Sequence, residues 1–115
     1  MALKLRCKVW LEGEGGTPVI GEGRLRILTA IRRTGSISKA ARMLNVPYRK
    51  AWGKIKDAER ELGCKIVEAT RTGTKLTAKG EDLVARFAML HKSCQRSARS
   101  KFKKVFSSSS GRAAD

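Results

Sequence analysis

Residues 36–62, SISKAARMLNVPYRKAWGKIKDAEREL, decide the fold of this 115-residue chain. Ser36 is a residue type that caps helix N-termini. Apolar residues then recur at i, i+3, i+4 and i+7, as in an amphipathic helix: Ile37, Ala40, Ala41 and Leu44. Asn45 readily adopts the left-handed conformation that ends a helix, and Pro47 suits the first turn of the next one. The stretch therefore predicts two consecutive helices joined by a tight turn.

The second of these helices carries an apolar stripe that we expect in the core: Tyr48, Ala51, Trp52, Ile55, Ala58 and Leu62. We assign Trp52 to packing rather than to base stacking, whereas Tyr48 is left open between packing and contact with a phosphate or base. Gly63 ends the helix. The small side chains of Ala40 and Ala41 allow the two helices to pack closely at a steep angle. This packing is typical of a helix-turn-helix, whose second helix enters a DNA major groove.

The remaining face of the second helix is polar or small: Arg49, Lys50, Gly53, Lys54 and Asp57. An arginine at the start of a recognition helix can hold guanine through O6 and N7, and we predict this role for Arg49. Lys50 and Lys54 suit phosphates, which position a protein on DNA without reading sequence. Gly53 marks either a close approach of the helix to the DNA backbone or simply a weak point in the helix.

Groups outside this helix complete the predicted interface. Thr34 and Ser36, at the start of the first helix, can offer hydroxyl and backbone N–H groups to a phosphate. Arg71 and Lys75 lie on a predicted hairpin, where a wing would follow the flanking groove. The full set of candidate DNA-binding residues is Thr34, Ser36, Ser38, Tyr48, Arg49, Lys50, Gly53, Lys54, Arg71 and Lys75.

Upstream of this region, residues 3–11 alternate between apolar and polar side chains, which predicts a half-buried strand. Its apolar face consists of Leu3, Leu5, Cys7, Val9 and Leu11. A Gly-rich turn follows, and Val19–Ile20 begins a short return strand. Residues 22–33 have helical spacing of apolar side chains, and Gly35 ends that helix.

Downstream, residues 64–77 predict a small wing of two strands, 64–68 and 74–77, joined by a basic tip. Thr77 caps a long final helix over about residues 78–105, with a coiled-coil-like seam of Leu83, Phe87, Leu90 and Cys94. Residues 106–115 are Ser-rich, and we expect a disordered tail there.

The predicted fold class is mainly α with small β hairpins. It is a winged helix-turn-helix over residues 1–105, with the helix-turn-helix at 36–62 and a long C-terminal dimerisation helix.

The charge balance favours a polyanionic partner. The chain has 26 Lys and Arg against 10 Asp and Glu, a net charge of +16, and a pI near 10.7. No acidic residue lies between Glu22 and Asp57, and residues 86–112 contain basic but no acidic residues. Such a basic domain is typical of nucleic-acid binders. An acidic protein and an anionic membrane surface are the alternatives on charge alone.

Other classes of protein are disfavoured. No apolar run approaches the roughly 18 residues of a membrane span, and the N-terminus lacks the apolar region of a secretory signal. Three widely spaced cysteines fit a reducing compartment, so we expect a cytoplasmic, nucleoid-associated protein. A single His leaves no nucleophile–base set, so we expect no enzyme. His91 and Cys94 have a spacing that can ligate a metal, but we read Cys94 as a small hydrophobe and expect no metal or cofactor.

The motifs resemble two families of regulators. Residues 22–25 (EGRL), 30–41 (AIRRTGSISKAA) and 48–52 (YRKAW) resemble the N-terminal winged-helix domain of the ModE family of molybdate-responsive regulators. The segment from ELG at 61–63 to LTAKG at 76–80 is similar to the DNA-binding domain of LysR-type regulators. The resemblance covers about residues 3–100. It implies a bacterial transcription factor that binds double-stranded DNA as a homodimer, paired through the N-terminal strand and the C-terminal helix.

Three departures from the ModE pattern limit what carries over. Pro47 stands where that family usually has Ser, so a side-chain cap is missing. The wing, 69–75, is shorter than in the family. The family continues into molybdate-binding domains, for which 115 residues leave no room, so we expect no molybdate sensing.

The sequence thus predicts a sequence-specific DNA-binding transcriptional regulator of the ModE N-terminal-domain type without an effector domain. One alternative is a sequence-tolerant nucleoid or architectural DNA-binding protein. The other is a basic interaction module whose partner is an acidic protein.

Overall fold

The structure is a computed structural model that describes residues 2–107. Four helices and two antiparallel hairpins follow one another along these residues. Their bounds are β1 (Trp10–Glu12), β2 (Pro18–Gly21), α1 (Glu22–Thr34), α2 (Ile37–Leu44), α3 (Tyr48–Leu62), β3 (Val67–Ala69), β4 (Thr74–Leu76) and α4 (Ala78–Phe106). The predicted class, a mainly helical winged helix-turn-helix with small hairpins and a long last helix, is confirmed.

The local signals at the helix ends act as predicted. Ser36 Oγ accepts a hydrogen bond from the Lys39 N–H at 3.1 Å and caps α2. Asn45, with φ of 58°, ends α2 in the left-handed conformation. Thr77 Oγ1 accepts from the Gly80 N–H at 3.0 Å and caps α4. Pro47 is the exception, because it lies at the N-cap of α3, one residue outside the first turn where we placed it.

The core lies where α1, α2 and α3 meet the two hairpins and the start of α4. Its most enclosed large side chains come from β2, α1, the segment before β3 and α4: Ile20, Leu28, Ile31, Ile66 and Phe87. Ala40, Ala41 and Ala51 are also buried, so α2 and α3 approach through side chains that are no larger than a methyl group. This close contact fixes the angle at which α3 leaves the body of the protein.

The N-terminal strand is shorter than predicted. Only Trp10–Glu12 pairs, because the return strand β2 has just four residues to offer. Leu3 is 53% exposed, and Leu5 and Leu11 are each 39% exposed, whereas Val9 packs against the core, so the predicted apolar face is buried only in part. The segment is instead held near α4, where the Gln95 side-chain amide donates to the Cys7 carbonyl at 2.7 Å.

The wing and the last helix also differ in detail. Strand β3 begins at Val67 rather than at residue 64, and the Ile66 N–H just before it donates to a side chain of α3. The 29-residue α4 spans about 43 Å. Among the described residues none after Phe87 is buried, and Leu90 of the predicted seam is 40% exposed. Phe106 is still helical, and residues 108–115 of the predicted tail lie outside the described residues.

Candidate nucleic-acid interface

Helix α3 presents a basic N-terminal end to solvent. Its buried side chains are Ala51, Ile55, Ala58 and Glu59. Tyr48, Arg49 and Lys50 are all exposed in the first turn. Of the two alternatives left open for Tyr48, packing in the core is therefore wrong. Because Arg49 lies roughly opposite the buried face at 100° per residue, its guanidinium is free to meet a partner in front of the helix.

Trp52 is not a core residue, contrary to the sequence prediction. Its side chain is 45% exposed, and Lys56 Nζ lies 5.3 Å from its ring centroid. Ala51, Ile55 and Ala58 of the predicted stripe are buried, but Glu59 is buried with them, whereas Leu62 is 39% exposed. Trp52 and Lys56 consequently form a flank of α3 beside Tyr48, an arrangement typical of a cation–π contact at an accessible surface.

Gly53 has no packing reason to be a glycine. A Cβ built on it meets no atom within 4 Å, and its φ is not in the left-handed region. In a helix interior, glycine costs about 0.5–1 kcal/mol relative to alanine. The packing of the fold therefore gives no reason for this residue, and both alternatives stay open, a close approach of the helix to the DNA backbone and a weak point in the helix.

Lys54 lies at the edge of the outward face. Its carbonyl accepts a hydrogen bond from Arg24 Nε at 3.2 Å, which joins α3 to α1. The residue borders the gap between α3 and β2 together with Val19 and Arg24. Its partly exposed side chain is thus to one side of Arg49 and Gly53, a position suited to a backbone phosphate rather than to a base.

Three hydroxyl side chains lie around the start of α2, and they differ in whether they can donate outward. Thr34 Oγ1 donates toward the carbonyls of Ala30 at 2.8 Å and Ser36 at 3.0 Å, so this hydroxyl is committed to the α1–α2 turn. Ser38 is exposed in the first turn of α2, and the capping Ser36 retains its O–H as a donor. Ser36 and Ser38 can therefore meet an anion at this helix end, and Thr34 shapes the turn that presents them.

The wing is docked on that same turn. The Thr74 N–H donates to the Gly35 carbonyl at 2.8 Å, and a Cβ on Gly73 would lie 2.0 Å from that oxygen. The contact places the wing tip beside the N-terminus of α2. Arg71 is exposed at the tip, and Lys75 is exposed in β4 with Glu68 Oε2 at 3.8 Å from its Nζ. An exposed pair of this kind is weak, so Lys75 remains available to a stronger anion.

Glu59 fastens the recognition helix to the wing. Its side chain is 8% exposed, and its Oε2 accepts from the N–H groups of Ile66 at 2.8 Å and Val67 at 3.2 Å. Lys56 Nζ donates to Oε1 at 3.1 Å. Burial raises the pKa of the Glu59 carboxyl, but the two N–H donors and the Lys56 ammonium outweigh it and hold the pKa below its ordinary 4.5. The carboxylate is therefore charged at neutral pH.

Sequence reasoning missed Glu59. The signal was present, since Glu59 continues the i, i+4, i+8 series of Ala51 and Ile55, but a carboxylate is not expected in an apolar stripe. It is tolerated because each of its oxygens meets a donor.

Two negative findings concern the described residues alone. Within residues 2–107 there is no group of three or more His, Cys, Asp or Glu side chains that could hold a metal ion. His91, whose spacing from Cys94 is one that can ligate a metal, has its ring 5.8 Å from that of Phe87. No helix in this part of the chain is both long and apolar enough to cross a membrane.

Short α2, projecting α3 and the docked wing together define a winged helix-turn-helix of the DNA-binding transcription regulators. Residues 23–81 match the family described as "Bacterial regulatory helix-turn-helix protein, lysR family". Since the match covers half of the chain, the protein belongs to that family, whose members are regulators rather than enzymes.

The chain is also similar to parts of longer curated proteins. The chain is 40% identical over 62 residues to the HTH-type transcriptional regulator YofA of Bacillus subtilis (strain 168), a match covering 54% of this chain and 22% of YofA. It is 36% identical over 80 residues to the molybdenum-pterin-binding protein MopA of Rhodobacter capsulatus, covering 65% and 30%. The chain thus spans less than a third of the length of these curated relatives.

Solved structures show the same fold. The complex of CbnR_DBD with DNA matches with a TM-score of 0.63 at 22% identity, covering 72% of this chain and 95% of that one. The complex of BenM_DBD with benA site 1 DNA matches with a TM-score of 0.57 at 25% identity, over 72% and 95%.

Proposed function

We propose that this protein is a sequence-specific DNA-binding transcriptional regulator that places the N-terminal half of α3 in a major groove. The observation that carries the proposal is the outward end of α3, where Arg49 and Lys50 are exposed beside a glycine that the fold does not need. Arg49 reads a guanine, because a guanidinium matches the O6 and N7 acceptors. Lys50 and Lys54 bind phosphates and fix the register of α3 without reading bases.

The surroundings of α3 hold the flanking backbone. Ser36 and Ser38 meet a phosphate with hydroxyl and N–H groups at the α2 N-terminus. Arg71 and Lys75 of the wing lie along the adjoining groove. Tyr48 contacts a phosphate or a base at the start of α3. Thr34 is the exception among the candidate residues, since its hydroxyl is bonded within the α1–α2 turn and supports the interface from behind.

The protein acts as a homodimer through α4 and the N-terminal segment. Leu3 and Leu5 are exposed on one element, and Met89, Leu90 and Val105 are exposed on the other. Apolar surface of this extent favours association. Two recognition helices in a dimer would meet half-sites about 34–36 Å apart. The action takes place in the bacterial cytoplasm, on nucleoid DNA.

The likeness to MopA and MopB supports a ModE-type assignment within the wider family, at 36% identity in each case. We extend it to the DNA-binding end alone, because the matched part is 30% of MopA and 28% of MopB. No molybdate binding is proposed for this chain.

A second candidate function is a sequence-tolerant architectural DNA-binding protein. The observation that favours it is the α4 segment after Asp82, which is basic and without acidic residues through Ser107. An architectural protein of this kind would show DNA affinity that depends steeply on salt and differs little between DNA sequences.

Selection of genomic fragments by the purified protein distinguishes the two functions. At about 150 mM salt, where purely electrostatic binding is already weakened, the regulator retains fragments that share a pseudo-palindrome. Fragments without a shared sequence would establish the architectural function instead. An absence of retained DNA would contradict both and direct the search to an acidic protein partner.

A further inference from the structure

The distal half of α4 carries four cations on one narrow face. Lys92, Arg96, Arg99 and Lys103 follow one another at intervals of four, three and four residues. At 100° per residue they fall within an arc of about 60° and are spaced about 4.5–6 Å apart along the axis. All four are exposed. We call this set the α4 cationic stripe.

Within residues 2–107, no carboxylate forms an ion pair with the stripe. The nearest preceding acidic residue is Asp82, which pairs with Arg86 at 3.0 Å. Like charges at i, i+3 and i, i+4 destabilise a helix. The arrangement therefore disfavours the free helix, and a bound polyanion would relieve that repulsion.

The stripe projects away from the core. The last buried residue of α4 is Phe87, and Phe106 lies about 28 Å further along the axis. Gln95, whose side-chain amide bonds the Cys7 carbonyl, lies about 40° from Arg99 around the helix, so the N-terminal segment runs along one edge of the stripe. The stripe is turned by more than a quarter of a revolution from half-buried Cys94 and Ala98, and so remains open to a partner.

The chemistry of the stripe fits a nucleic-acid backbone better than a protein. Protein interfaces have apolar or aromatic centres and are depleted in lysine. Here the neighbours on one flank are Ser93 and Ser100, both exposed, whose hydroxyls donate to phosphate oxygens. The stripe is about 16 Å long, and one DNA strand carries a phosphate every 3.4 Å of axis, roughly five over that length.

We propose that the α4 cationic stripe binds the phosphate backbone of double-stranded DNA outside the segment read by α3. This inference rests on the proposed DNA-binding function and adds a second, sequence-independent contact to it. It assigns to α4 a role in DNA affinity that is separate from any role in pairing subunits. The stripe raises affinity for all sequences alike and leaves base preference unchanged.

Two double variants with the same charge change test the proposal. K92Q/K103Q removes two stripe lysines, and K101Q/K104Q removes two lysines of the same helix that lie outside the stripe. On the full chain, the affinity for a random-sequence duplex is measured between about 50 and 200 mM salt. The stripe variant should lower the slope of log K against log salt by about 1.8, at about 0.9 per lost phosphate contact. The control variant should change it by well under half as much.

Each outcome decides the question. Equal changes of the salt slope in the two variants would mean that only the total charge matters, and would overturn the proposal. Unchanged slopes in both variants would overturn it as well. Helix content measured by circular dichroism verifies folding, and both variants should retain it because the substituted residues are exposed. If the wild-type protein bound no DNA, the proposed function itself would fail. The wild-type protein could also bind DNA, with R49A losing its preference for the selected site and the stripe variant keeping the wild-type salt slope. In that case only this inference would fail.

Discussion

Gly53→Ala should strengthen the fold and weaken DNA binding at once. The added methyl group meets no atom within 4 Å in the free protein, so it brings no strain. Replacing a helix-interior glycine by alanine should then stabilise the protein by about 0.5–1 kcal/mol, since the unfolded chain loses freedom. For a domain of this size, that raises Tm by about 2–8 °C.

The same methyl group projects from the face that we place against DNA. If the α3 backbone approaches the groove closely, the methyl group overpacks the interface. The loss is about 1–3 kcal/mol, or roughly 5- to 150-fold in Kd. Thermal unfolding and a titration of the selected DNA site measure the two effects on one protein sample.

Gly23→Ala is the matched control. Gly23 also lies in a helix, α1, with open space around its added Cβ, but it is outside the candidate interface. It should leave DNA affinity unchanged. A Gly53→Ala variant that is more stable and binds DNA as tightly as the wild type would refute a close approach at this position. Gly53 would then be only a weak point in α3.

Three further predictions follow from the same geometry. Glu59→Gln should destabilise the protein by about 1–3 kcal/mol at neutral pH, because a buried pair of N–H donors loses its charged acceptor. In the wild type, the pKa of Glu59 is lowered in the folded state. Its contribution is therefore complete above about pH 4.5 and lost as the pH falls through the folded-state value. Chemical unfolding between neutral pH and about pH 3 should show this loss in the wild type and a flatter profile in the variant. Arg49→Ala should cost about 1–3 kcal/mol on the selected site and relax one base position, whereas Lys54→Ala should weaken specific and random DNA alike; identical behaviour of the two variants would contradict the division of roles. Gly73→Ala should lower Tm, because its Cβ would lie 2.0 Å from the Gly35 carbonyl and push the wing off the α1–α2 turn. Gly15→Ala, which meets no atom, should not lower it.

The elements that local chemistry decides were predictable from the sequence. Ser36 caps α2 and Asn45 ends it because each acts on backbone groups within a few residues of itself. The exposure of the N-terminal end of α3 was also predictable. Arg49 and Lys50 lie outside both the predicted apolar stripe and the buried face of the structure.

The errors arise where a residue depends on a partner far along the chain. Glu59 is buried because two N–H groups at the start of the wing donate to its carboxylate, whereas Trp52, seven residues earlier on the same side of α3, is 45% exposed. The N-terminal strand begins only at Trp10, because alternation predicts a strand but supplies no neighbour to pair with residues 3–9. The wing contact through Gly73 and Gly35 likewise joins two turns that no local pattern connects.

The most direct test of base reading by α3 replaces the guanine N7 acceptor by C–H in the selected DNA site. The loss in affinity is compared between the wild type and Arg49→Ala. We predict that the substitution costs the wild type about 1–3 kcal/mol at one guanine and costs the variant nothing further, because Arg49→Ala has already removed the hydrogen bond to N7. An equal loss in the two proteins at every guanine would contradict the central claim, since Arg49 would then not be the group that reads that base.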